Sequence, residues 1–344
     1  MHRPLLRLGG AVVAATALFT ACGGGSDGQA TADDATAEDA TTTVEDGWSY
    51  TDGSGKEVRL DQRPTRIIAH ASAASALMSF GIEPIAIYAD VPVEDDLALD
   101  GLDLEGIEIV GEEWGVINVE AVAALDPDLI VSEWWPVEEG YTGMEPGAGT
   151  TLENMEAIAP VVGIAQGSSI VAMIEDYAEL AESLGVPADD PEVVADREAF
   201  DEAVATFEEA VEAKPGLSVL AVSPSEEGLY VAVPEYAAEL SDFQQWGMQL
   251  VVPDSPDEGF EYWETLSWEN ADKYQADLIL VDERSYPDNL DLARAQPTWP
   301  ALAAGEAEAT AVWPAYWVRS YDAYAESLAA LTEAVDGADE DLVS

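Results

Sequence analysis

The sequence predicts an α/β protein of two lobes joined by one long helix. Three observations predict it. Short apolar runs alternate with helical patterns on both sides of a central segment. That central segment is long, charged and helix-periodic. A short helix–strand unit recurs once in each half. Strands alternating with helices imply crossover connections and hence parallel sheet.

The elements follow in order. Arg66–His70 reads as a strand, Ser72–Phe80 as a helix and Pro84–Tyr88 as a strand. Further strands are expected at Ile107–Val110, Asp128–Ser132 and Val161–Ile164, with helices at Asn118–Leu125 and Leu152–Ile158 between them. In the centre, Ser169–Leu184 and Pro191–Ala213 are helical, the second opened by an Asp190 cap and Pro191 in its first turn. Ala195, Ala199, Val204, Phe207 and Val211 supply an apolar stripe for it, and Lys214-Pro215-Gly216 ends it. Strands resume at Leu217–Val222, Leu229–Val233 and Asp277–Val281, and a last helix runs near Tyr321–Val335. The repeated unit is Asn118-Val-Glu120…Asp128-Leu-Ile-Val and Ser267-Trp-Glu269…Asp277-Leu-Ile-Leu, with the same eight-residue spacing from Glu to Asp. Each unit offers a helix cap, Asn118 or Ser267, and places a Glu in the first turn.

Composition excludes several functions. Seventy Asp and Glu against twelve Lys and Arg give a net charge of −58. Phosphate recognition needs a basic face, so nucleic-acid binding is excluded, as is a polybasic hold on anionic lipid. Hydrophobic residues make up 48% of the chain, enough for an ordinary core, so the acidity belongs on a solvated surface. A single cysteine rules out an internal disulfide framework and a thiolate zinc site. No loop follows an EF-hand pattern, so no bound metal and no resident cofactor are expected.

The first residues form a targeting signal. Arg3 and Arg7 precede a short apolar run, Leu8–Thr20, which falls below the roughly 20 residues needed to span a bilayer. Thr20-Ala21-Cys22 resembles a bacterial lipobox, with Phe19 in place of the usual aliphatic residue. The resemblance implies cleavage after 21 and a lipid on the Cys22 thiol. Residues 22–46 after it are small, polar and acidic and read as a flexible tether. The expected organisation is a signal peptide (1–21), lipidated cysteine and linker (22–46), N-terminal lobe (47–168), helical connector (169–214) and C-terminal lobe (215–344).

Gly115-Val-Ile-Asn118-Val-Glu120, followed by Ala-Leu-Asp-Pro127-Asp128-Leu-Ile, resembles the substrate-binding proteins of ABC importers for ferric siderophores, haem and vitamin B12. Arg63-Pro64-Thr65-Arg66, Phe80-Gly81-Ile-Glu-Pro84 and Trp299-Pro-Ala-Leu-Ala-Ala-Gly305 agree with it, so the resemblance spans roughly Tyr50 to Ala334. It implies two Rossmann-like lobes, a rigid interdomain helix and a ligand cleft between the lobes. It also implies one surface Glu per lobe docking on the permease, here Glu120 and Glu269. Their plainer reading is complementation of a helix N-terminus.

Ligands in open α/β sheets lie beyond the carboxyl ends of strands, and these positions are rich in aromatics. Trp134, Trp135 and Tyr141 follow one strand, Tyr286 another, and Trp313, Tyr316 and Trp317 the short run Ala309–Val312. Each is a candidate cleft or core residue; ten tryptophans against six phenylalanines favour a partly aromatic cleft. Arg284 and Arg319 are candidates for the oxygens around chelated iron, with surface ion pairs as the alternative. His70, ending the first strand, is either a cleft residue or a hydrogen-bonded structural one. Loss of Arg3 and Arg7 brings the charge to about −60, which disfavours a highly anionic ferric tris-catecholate and favours a neutral or cationic ferric hydroxamate.

The expected function is therefore a monomeric, lipid-anchored extracytoplasmic binding protein that takes a ferric siderophore to an ABC permease. Haem, cobalamin or another chelate as ligand, or a role as an anchored sensor, are the alternatives. No enzyme is expected: the chain lacks Gly-x-Ser-x-Gly, His-Glu-x-x-His and a phosphate loop. Acidic pairs such as Asp95-Asp96 are expected by chance in this composition.

Overall fold

The computed structural model describes residues 47–343. The expected signal peptide, lipidated Cys22 and linker lie outside the described residues. A hairpin opens the fold, β1 (Trp48–Thr51) with β2 (Glu57–Leu60). The first lobe follows as β3 (Ile67–His70), α1 (Ala71–Ser79), β4 (Ala86–Ala89), β5 (Glu108–Glu112), α2 (Val119–Ala124), β6 (Leu129–Trp135), β7 (Gly140–Tyr141), α3 (Thr151–Glu156) and β8 (Val161–Ala165). Its strands lie in the order β5-β4-β3-β6-β8, all parallel, with β7 turned antiparallel onto the end of β6.

The chain then leaves the first sheet through α4 (Ile170–Ser183) and α5 (Pro191–Glu212). Asp190 caps α5 by accepting from Glu192 N–H at 3.0 Å, and Pro191 occupies its first turn, as the sequence predicts. The second lobe comprises β9 (Ser218–Pro224), β10 (Leu229–Ala232), α6 (Ala238–Gln245), β11 (Gln249–Leu250), β12 (Trp263–Leu266), β13 (Leu278–Asp282), α7 (Asp288–Arg294), α8 (Ala303–Glu306), β14 (Thr310–Trp313) and α9 (Tyr321–Gly337). Its order is β12-β10-β9-β13-β14; β13 is parallel to β9 and β14, whereas β10 and β12 fold back as an antiparallel pair.

Period-2 alternation sorts each central strand between two cores. Ile67, Ala69, Leu129 and Val131 of the first sheet, with Val219, Ala221, Leu278 and Leu280 of the second, face one continuous cluster under α4, α5, α6 and α9. Ile68 and Ile130 face a separate core behind the first sheet, and Leu220, Val222, Ile279 and Val281 one behind the second. Each fully buried Leu or Ile contributes about 1.5–3 kcal/mol, so a core shared by both sheets binds them firmly.

Two local readings change. The buried stripe of α5 runs through Phe200, Phe207 and Ala210, flanked by Ala203, Val204 and Val211, while Ala195 and Ala199 are exposed. Phe200 decides this rotation: it packs among Trp246, Tyr321 and Tyr324, where an alanine face would leave a void. The second repeat unit, Trp268–Lys273, is a 3₁₀ turn and Ser267 makes no side-chain cap, whereas Asn118 caps α2 by accepting from Ala121 N–H at 3.1 Å.

Candidate functional site

The loops after β3, β4, β6, β13 and β14 converge on a cleft of about 590 Å³ between the two sheets. This is the carboxyl end of each parallel strand, as open α/β sheets require. The volume suits a small organic ligand.

Five of the ten predicted ligand residues line this cleft: His70, Trp135, Arg284, Tyr316 and Trp317. The Trp135 ring is fixed by its Nε1–H, which donates to Thr142 Oγ1 at 2.8 Å, and packs near Tyr262 and Tyr316. The Arg284 guanidinium lies 5.1 Å from the Tyr316 ring centroid and donates to both oxygens of Asp282, so its charge is largely met within the protein. Trp317 Nε1–H donates to Glu283 at 3.3 Å. His70 is 5% exposed; its Nδ1 accepts from Ser72 N–H at the start of α1, which leaves Nε2 facing Asp90 Oδ2 at 3.5 Å. Burial lowers its pKa, but Asp90, with Glu133 and Asp96 behind it, outweighs that and raises it.

The other five lie elsewhere. Trp134 and Tyr141 pack edge to face in the core behind the first sheet, over Gly163, where a Cβ would meet the Tyr141 ring at 2.8 Å. The Tyr141 hydroxyl donates to buried Asp52 at 2.7 Å, which ties the N-terminal hairpin to the lobe. Trp313 is fully buried in the shared core, and Tyr286 is exposed outside the cleft. Arg319 is neither a cleft residue nor a surface ion pair. It is fully buried and donates to both oxygens of Glu133, on the other sheet, and to the carbonyls of Tyr316 and Val318. Burial raises the Glu133 pKa, but the Arg319 charge and hydrogen bonds overcome this and hold it below the usual range.

Sequence reasoning missed the acidic half of the wall. Six carboxylates line the cleft: Asp90, Asp95, Asp96, Glu133, Glu138 and Glu145. Asp90 and Glu133 stand at strand ends, the signal that found Trp135. Asp95 and Asp96, dismissed as chance neighbours, line the cleft together. Burial raises the pKa of both Asp96 and Glu145. It also missed Tyr262, Trp263 and Phe260, which complete the aromatic wall from an acidic stretch that reads as surface loop, and Trp114 on the rim. The Tyr262 hydroxyl reaches Glu138 at 3.1 Å, bridging the two lobes at the mouth. Glu120 and Glu269 are exposed, each in the first turn of its element. Among the described residues, no group of three or more His, Cys, Asp or Glu is arranged to hold a metal ion. No helix among them is long and apolar enough to cross a membrane.

A cleft of this size between two α/β lobes, walled by aromatics and carboxylates, defines a protein that grips a small ligand. The chain belongs to the periplasmic binding protein family, whose model matches residues 109–316. It is similar to DesE, a ferric-siderophore receptor protein from Streptomyces coelicolor, with 30% identity, a TM-score of 0.77, and coverage of 85% of this chain and 99% of that one. Fold similarity extends to the siderophore periplasmic binding protein of the fuscachelin gene cluster of Thermobifida fusca (23% identity, TM-score 0.59, 80% of this chain and 97% of that one). It extends also to FhuD2 from Staphylococcus aureus with bound ferrioxamine B (16% identity, TM-score 0.56, 79% and 98%). No curated protein matches. The fold is thus that of siderophore-binding periplasmic proteins of ABC importers, an extracytoplasmic family of substrate-binding proteins rather than enzymes.

Proposed function

We propose that this chain is a lipid-anchored, monomeric substrate-binding protein that captures a ferric siderophore, of hydroxamate type, and delivers it to an ABC permease. On this reading residues 47–168 and 215–344 are the two grasping lobes and 169–214 their connector. The iron is cargo wrapped in its chelator, with no resident cofactor.

The observation that carries the hydroxamate reading is the charge of the cleft. Of its six carboxylates Glu133 is paired with buried Arg319, and the other five face His70 and Arg284, the latter already engaged by Asp282. Such a field opposes a highly anionic tris-catecholate and accepts a neutral or cationic chelate. The aromatic wall offers flat apolar surface to the chelator backbone. Similarity to the ferric-siderophore receptor DesE supports the substrate class. Docking of Glu120 and Glu269 on the permease is supported by their exposure at matched positions in the two lobes.

Tryptophan fluorescence tests the reading. The full chain is titrated with ferric hydroxamates, ferric catecholates, ferric citrate, haem and cobalamin, each iron chelator also in its iron-free form. Trp135, Trp114, Trp263 and Trp317 line the cleft, so ligand entry quenches emission. Saturable quenching by ferrioxamine-type hydroxamates and not by catecholates is expected, with calorimetry agreeing. Preference for a tris-catecholate, haem or cobalamin would overturn the hydroxamate assignment.

A further inference from the structure

Tyr316 stands on the cleft wall with φ = +66°, in the left-handed region that side chains other than glycine rarely adopt. A turn that needs this geometry for folding alone is normally given a glycine. A tyrosine here must be held by its surroundings, because such strain persists only where they over-determine it.

The surroundings do so from both sides. The Tyr316 N–H donates to Glu239 Oε1 at 2.8 Å, and its carbonyl accepts from Arg319 Nη2 at 3.0 Å. Glu239, on α6, is fully buried, and its second oxygen has no hydrogen-bond partner. Arg319 is itself anchored on Glu133 of the opposite lobe, which also accepts from Gln166 at 2.9 Å and Tyr177 at 3.4 Å. Two buried side chains, the Glu239 carboxyl and the Arg319 guanidinium, therefore fix the peptide groups flanking one cleft residue. The ring they present lies 6.2 Å from Trp135 and 6.5 Å from both Tyr262 and Trp263, with Arg284 against it. Its hydroxyl is buried and has no hydrogen-bond partner.

We propose that Glu239 and Arg319 are positioning residues that hold Tyr316 in the left-handed conformation, and that Tyr316 so held sets the affinity and selectivity of the cleft. This rests on the ligand-capture reading above. Because Arg319 is held by Glu133, the position of the second lobe's key aromatic depends on the first lobe, and the two halves of the cleft are coupled through it.

The test is calorimetry of the full chain with ferrioxamine B as probe. Glu239→Ala, which leaves the Tyr316 N–H without its acceptor, and Tyr316→Ala, which keeps that N–H but removes the ring, should each weaken binding about tenfold or more. Glu239→Gln keeps an acceptor for the Tyr316 N–H and should stay within about threefold of wild type. The double variant E239A/Y316A should bind no more weakly than Y316A alone, since Glu239 acts through Tyr316. Losses that multiply, or an E239A that binds like wild type, would overturn the proposal. Should E239A not fold, Tyr316→Gly serves: it should bind as weakly as Y316A yet melt higher, because glycine is unstrained at this φ. A Y316G melting below Y316A would overturn the backbone argument. If wild type binds neither ferrioxamine B nor any other chelate, the capture reading falls. The positioning claim is then decided by a crystal structure of E239A, where Tyr316 leaving the left-handed region supports it and φ remaining near +66° refutes it.

Discussion

Replacing Arg319 with Met should destabilise the protein by about 3–5 kcal/mol at pH 7, because it strands the Glu133 carboxylate in the interior. The structure sets the scale. Arg319 and Glu133 are 1% and 2% exposed, so although Glu133 borders the cleft, water replaces little of what the guanidinium supplies. Gln166 and Tyr177 still donate to Glu133 in the variant, which draws the loss toward the lower figure. Freed carbonyls at Tyr316 and Val318 push it back up. The pH dependence provides a signature. In the wild type Arg319 holds the folded Glu133 pKa below its usual value of 4.5, so that stability is present above 4.5 and is lost as pH falls through the folded value. Without the guanidinium, burial dominates and the pKa rises above 4.5, so the variant regains stability on acidification. The gap between the two proteins should therefore be widest at neutral pH and narrow toward pH 5. Urea unfolding at pH 7 and pH 5 measures both, and the neutral double variant R319M/E133L should recover most of the loss. A deficit under about 1 kcal/mol at pH 7, or one independent of pH, would refute the reasoning, because that is what a solvated pair would give.

Glu239 should act in the opposite sense. Burial, opposed by Arg319 and by hydrogen bonds from the backbone and reinforced by Asp242, raises its folded pKa to about 7 from 4.5. Its contribution to stability is then full below pH 4.5 and lost as pH rises through 7, by about 3 kcal/mol at 1.36 kcal/mol per pH unit. Glu239→Gln should match wild type in acid and exceed it at pH 8 by up to that amount; equal stability at both pH values in chemical denaturation would refute the burial argument. The double variant Glu120→Ala, Glu269→Ala should bind ferric chelate as wild type does and cut uptake about tenfold or more if two buried charge pairs at the permease are lost. Unchanged radiolabelled-iron uptake would return both residues to helix-end complementation.

Much of the fold was legible because it rests on local patterns. Short apolar runs marked β3, β6, β9 and β13, and Asp190-Pro191 marked the start of α5, since such runs and caps act within a few residues. The carboxyl-end rule located the cleft and half its wall. It could not choose between Trp134 and Trp135, neighbours on a strand that must face opposite ways; only the sheet's place against Gly163 and Tyr141 sends the first inward. The alanines of α5 misled for a similar reason: a small apolar residue is tolerated on either face, and the bulk of Phe200 sets the rotation.

By itself, then, the sequence determined the two-lobe α/β plan, the long charged connector, the acidic surface and the family, all of which depend on short-range order or total composition. The tertiary structure alone decided what Arg319 does, because its partner Glu133 lies 186 residues away. It likewise decided that chance-looking acids at 95 and 96 share a cleft with aromatics from residues 260–263. Side chains so distant in the chain have no common local pattern; burial, pairing and a left-handed tyrosine emerge only when the sheets close on one another.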